Sequence, residues 1–134
     1  MIEFDDKYFR DFTFTPEQVK KNIDNAFKDL DIAHQDAILD VKFTYSYDAL
    51  IKGGIALISL YNKRVKSAPG HHVKIIEMIG KILKDNTIEA AGNAMRSKRN
   101  TDFYDGGIEV TQKEALDYLE YVDKILHKIK LVLN

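Results

Sequence analysis

The sequence predicts an all-α fold, an up-and-down bundle of four to five helices, and three observations carry that prediction. Apolar residues recur every three or four positions along most of the chain, the spacing of one buried face of an α-helix. Thr15-Pro16-Glu17-Gln18 and Thr111-Gln112-Lys113-Glu114 both have the form of a capping box, in which a threonine hydroxyl and a side chain three residues on satisfy each other's backbone N–H groups. Strand signals are confined to the short Ile108-Glu109-Val110. Main helices with mostly short connections pack antiparallel to their neighbours.

Taken in order, Phe9, Phe12 and Phe14 alternate too little for a strand and are expected to pack an N-terminal arm, residues 1–14, onto the bundle. Thr15 and Pro16 then open a helix over about residues 16–38, with Val19, Ile23, Ala26, Leu30, Ala33 and Ala37 on one face. A proline at the first helical position loses no hydrogen bond and has its φ already set. A second helix is expected over about residues 43–66. It is apolar on more than one side, which marks a central or interface helix. Its Gly53-Gly54 pair costs about 1 kcal/mol per glycine relative to alanine, a cost that close approach of a neighbouring helix offsets.

After Ser67-Ala68-Pro69-Gly70, His71-His72 lead a third helix bearing Ile75, Ile76, Ile79, Ile82 and Leu83. Asp85-Asn86-Thr87 breaks it, and a further helical piece follows over residues 88–99. The last helix opens at Thr111 and carries Ala115, Leu119, Val122, Leu126, Ile129 and Leu133 in a regular seam. Val19, Ile23, Leu30, Leu50, Leu57, Ile76, Ile79, Leu119, Val122 and Leu126 are expected to share one core.

The chain of 134 residues is expected to be a single domain, residues 1–134. Apolar residues at 45% against charged residues at 31% exclude a disordered composition. The 20 basic and 21 acidic residues leave a formal charge of −1, so no global field draws the chain to nucleic acid or an anionic membrane. Any such attraction must come from a local patch. Without cysteines there are no disulfides or thiolate metal sites. The acidic start Met1-Ile2-Glu3-Phe4-Asp5-Asp6 has no signal-peptide pattern, and the longest apolar run, residues 55–60, is too short for a bilayer. A cytoplasmic protein with no membrane association is expected.

Residues 96–104 are the most informative segment. Arg96, Lys98 and Arg99 collect at the end of one helix, with Asn100 and Tyr104 just beyond and Gly106-Gly107 as a turn. Cations at a helix C-terminus suit the macrodipole, so a capped helix end is one meaning. The other is an anion-binding lip, because a guanidinium presents a fork of donors to phosphate. Arg96 and Arg99 stand three apart and can share a face, whereas Lys98 points elsewhere. Lys63-Arg64-Val65-Lys66 is expected to end the second helix; beside the first cluster it would make one basic face. His71-His72 project about 100° apart on a helix and find no further ligands at metal-site spacing, so neither a metal nor another cofactor is expected. One of these rings is expected to cap the helix and the other to be solvated. His34 and His127 are expected to be partly buried or to snorkel.

Three pieces in this order resemble the HEPN domains of prokaryotes. They are Tyr45-Ser46-Tyr47-Asp48-Ala49-Leu50, Pro69-Gly70-His71-His72, and the run from Met95 through Arg96-Ser97-Lys98-Arg99-Asn100-Thr101-Asp102-Phe103-Tyr104 before a capped last helix. The likeness covers roughly residues 15–133. It implies a HEPN-like helical bundle, dimeric in many members, with ribonuclease activity or a place in toxin–antitoxin and phage-defence systems. The family's nuclease signature is an arginine followed, after four to six residues, by a histidine. Arg99 matches the arginine and Asn100 the residue behind it, but Tyr104 stands where the histidine belongs. A tyrosine titrating near 10 is a poor general base at neutral pH.

The resemblance therefore implies a non-catalytic module that forms a homodimer and binds a nucleotide, nucleic acid or protein partner through Arg96, Arg99, Asn100 and Tyr104. The alternative is a degenerate or weakly active metal-independent ribonuclease with Arg99 and Tyr104 as its catalytic candidates. A nucleotidyltransferase or antitoxin is the protein partner such a system implies.

Overall fold

A computed structural model describes residues 2–104, 106 and 109–134, with the side chains of residues 102–104 outside that description. In chain order the elements are β1 (Phe9–Asp11), α1 (Pro16–Gln35), α2 (Leu39–Ser59), β2 (Lys63–Val65), α3 (His71–Leu83), α4 (Thr87–Tyr104) and α5 (Gln112–Leu133). The all-α bundle expected from periodicity is the observed architecture.

Both capping boxes form. The Thr15 hydroxyl accepts from the Gln18 N–H at 3.1 Å while the Gln18 side chain accepts from the Thr15 N–H at 2.9 Å. Thr111 and Glu114 repeat the arrangement at the start of α5. The end of α1 falls at Gln35, three residues before the expected limit, because Asp36 adopts an extended conformation and its carboxylate accepts the Ile38 N–H at 2.8 Å. A short acidic side chain offers the backbone this alternative to helix. Buried Lys42 then closes the corner: its ammonium donates to the Ala33 carbonyl at 2.6 Å and the His34 carbonyl at 3.2 Å. It thereby satisfies acceptors that every helix leaves unpaired at its C-terminus.

Helix α2 occupies the centre and packs against α1, α3, α4 and α5. The expected helix over 43–66 is displaced, since α2 runs from Leu39 to Ser59. A turn follows in which Asn62 takes a positive φ of 57°. Lys63–Val65 is consequently a strand and not a helix end. It pairs antiparallel with Phe9–Asp11, Phe9 opposite Val65 and Asp11 opposite Lys63. The N-terminal arm thus contains a strand that the phenylalanine spacing did not reveal, because three residues are too few to display an alternation. Residues 109–110 carry no strand, and Ile108 lies outside the described residues.

Every residue expected in the core is buried there except Val19, which is half-buried at the wall of a surface groove. A Cβ on Gly53 would lie 2.3 Å from the Leu126 Cδ2 of α5, and one on Gly54 would lie 2.5 Å from the Ile75 Cγ2 of α3. The glycine pair is used for close packing inside the chain, so it lends no support to a second copy at that place. Of the two expectations for His34 and His127, partial burial is not met, since both are exposed. They share the Asp123 carboxylate, at 3.0 Å from His34 Nε2 and 2.8 Å from His127 Nδ1. Among the described residues no helix is long and apolar enough to cross a membrane.

Candidate functional site

Helix α4 packs against α3 and reaches α2, and its arginines meet groups from both. Arg99 turns toward α2. Its Nε lies 3.8 Å from Asp48 Oδ1, and its guanidinium carbon lies 5.6 Å from the centroid of the Tyr47 ring, within range of a cation–π contact. Both side chains of the Arg99–Asp48 pair are partly buried. Arg96, one turn earlier on the same face, donates from Nε to the Asn93 side-chain oxygen at 3.4 Å. Its charge, like that of Arg99, bears on Tyr47 and His72.

His72 reaches this place because Gly70, at a φ of 82°, turns the chain directly into α3. That backbone conformation suits glycine. The Tyr47 hydroxyl and His72 Nδ1 are 2.9 Å apart, and the His71 and His72 rings meet edge to face at 4.5 Å. His71 itself lies 2.8 Å from the Ala68 carbonyl through Nδ1. Since a carbonyl only accepts, that nitrogen carries the proton. Neither ring matches the expectation of one cap and one solvated histidine: His71 anchors the turn before α3, and His72 belongs to the polar cluster.

Burial raises the Tyr47 hydroxyl to about 12, against the lowering influence of Arg99 and Arg96. Burial also lowers His72 to about 4, helped by His71, Arg99 and Arg96 in that order. Both groups are therefore neutral at pH 7. The Tyr47 hydroxyl and His72 Nδ1 can each donate to the other, according to which ring nitrogen carries the imidazole proton. Burial raises the Asp48 carboxyl as well, with Arg99 opposing it, Asp29 adding to it and Lys52 opposing it. Asp29 is buried on α1 and paired with Lys52 at 2.7 Å, so charged groups continue from α4 through α2 to α1.

A pH dependence follows from His72. Its folded pKa lies below the ordinary 6.5, so between that value and about 4 the unfolded chain binds a proton that the folded chain does not. Stability attributable to this residue is full above 6.5, falls as pH drops through the window, and changes no further below it. His72→Asn keeps an acceptor for Tyr47 without the titration. Thermal melts from pH 7.5 to 4 should show the wild type losing more than the variant, and parallel curves would refute the assignment.

Of the residues singled out in the sequence, Arg96 and Arg99 are brought together on one face. Asn100 is exposed, and the Tyr104 side chain lies outside the described residues. Lys98 points away, bonding the Glu109 carbonyl at 3.0 Å and Glu114 at 3.2 Å, which ties the α4–α5 connection down. The basic residues 63–66 do not join this cluster: Lys63 pairs with Asp11 at 2.6 Å and Lys66 donates to the Asp6 carbonyl at 2.6 Å. Tyr47, Asp48 and His72 were not foreseen as site residues. The available signal was a tyrosine and an aspartate side by side in the middle of α2. Among the described residues no group of three or more His, Cys, Asp or Glu is arranged to hold a metal ion.

In comparisons with known proteins, no family model matches the chain, and no curated protein or solved structure shows a significant match.

Proposed function

We propose that the chain is a non-catalytic HEPN-like module that binds a nucleotide, nucleic acid or protein partner through residues 96–104 and acts as a homodimer. The observation that carries this reading is the pair of arginines on one face of α4, set against a neutral Tyr47–His72 pair. Guanidinium groups on a shared face supply charge-assisted donors to phosphate. Phosphate is the shared chemistry of the first two partners. A nucleotidyltransferase or antitoxin is the protein partner that the resemblance favours.

The alternative, a weakly active metal-independent ribonuclease, gains one point from the same cluster. A histidine does stand near Arg96 and Arg99, supplied by α3 and not by the position of Tyr104. A pKa of about 4, however, leaves that histidine a weak proton acceptor at neutral pH. Fluorescence anisotropy with a short labelled RNA at low salt, run beside a cleavage gel with and without chelator, tests both readings. Salt-sensitive binding without cleavage is expected. Absence of binding would remove nucleic acid from the proposed partners, and chelator-resistant cleavage abolished by His72→Asn would establish the ribonuclease. Light scattering should show a dimer at micromolar concentration, and a monomer there would overturn the assembly.

A further inference from the structure

Away from the α4 arginines, a groove of about 370 Å³ lies between the arm following β1, the first turns of α1 and strand β2. Phe12 and Phe14 form one wall with ring centroids 4.6 Å apart at 55°. The guanidinium of Arg64 lies over Phe12, its carbon 5.1 Å from the ring centroid. Lys21 and Asn22 of α1 lie opposite, with Lys63 at the β2 edge. Among the described residues no carboxylate lines the groove. Asp11 pairs with Lys63 and so offsets that one charge. Arg64 and Lys21 leave it cationic. A guanidinium stacked on a ring keeps its in-plane N–H edge available to an anion. An apolar ring beside such an edge is what single-stranded nucleic acids use: a base stacks on the ring and its phosphate meets the cation. Asn22 adds an amide able to donate and accept at a base edge.

We propose that this groove binds one nucleotide unit, its base on Phe14 and its phosphate on Arg64 and Lys21, either as a free nucleotide or within a single RNA strand. The site is separate from Arg96 and Arg99 and stands or falls without them. An acidic peptide would satisfy the cations but make no use of the aromatic wall, and the volume falls within the range of about 300–1,000 Å³ typical of small-molecule sites.

Amide chemical shifts of the whole chain, followed by NMR during titration with AMP, a six-residue oligoadenylate or hexaglutamate, test the assignment. AMP and the oligonucleotide should both shift Phe14, Lys21, Asn22 and Arg64, the oligonucleotide at about tenfold lower concentration if a strand is the natural occupant. Equal midpoints would assign the free nucleotide. Phe14→Ala and Arg64→Glu should each weaken binding about tenfold; should Phe14→Ala fail to fold, the exposed Lys21→Glu replaces it. The double variant Arg96→Ala/Arg99→Ala should keep the groove shifts, so a failure of the α4 proposal is read separately. Silent groove amides at low salt, or hexaglutamate shifts equal to those of AMP, would overturn the proposal.

Discussion

Arg99→Ala is expected to weaken phosphate or RNA binding by roughly 10- to 100-fold, the equivalent of about 1.5–3 kcal/mol for one charge-assisted contact. The same substitution removes the partly buried approach to Asp48 and the contact with the Tyr47 ring. An ion pair of that exposure and length contributes about 1 kcal/mol or less, so the melting temperature should fall by only a few degrees. Arg99→Lys preserves charge without the planar fork and should fall between the two in affinity. Anisotropy and thermal melts on the three proteins decide the matter. A large drop in melting temperature with unchanged binding would make Arg99 a structural residue and remove the central support for the proposed function.

Gly54→Val should strongly destabilise the bundle. A Cβ alone would sit 2.5 Å from Ile75 Cγ2 and 2.7 Å from Ile79 Cδ1. Ile75 Cγ2 branches directly from its Cβ and cannot swing away as a chain end can. Overpacking of this kind costs about 1–3 kcal/mol or more, against which the gain in helix propensity over glycine is below 1 kcal/mol. For a domain of this size the melting temperature should drop on the order of 10 °C. Gly53→Ala should cost less, since the nearest atom there is the terminal Leu126 Cδ2 at 2.3 Å, which a rotamer change can relocate. A Gly54→Val protein as stable as the wild type would show that α2 and α3 separate freely and that the glycine is not packing-driven.

The sequence by itself determined the helices, their capped starts and nearly all of the core, because those features are local. A capping box is complete within four residues, and a buried face repeats every three or four. Val19 escaped because half-burial at a groove wall leaves the same periodic mark as full burial. The limits of α2 and the strand pair depended on tertiary structure. Asp36 ended α1 by a hydrogen bond that competes with helix, and Lys63–Val65 became a strand only because Phe9–Asp11 lay alongside to accept and donate its backbone bonds. The arginine cluster was half legible in the same sense. Arg96 and Arg99 share a face by helical spacing alone, but Tyr47, Asp48 and His72 come to them from two other helices, and no spacing within the chain encodes that meeting. The neutrality of Tyr47 and His72 at pH 7 is likewise a property of burial among those helices. It arises from desolvation, which exists only once the bundle has closed.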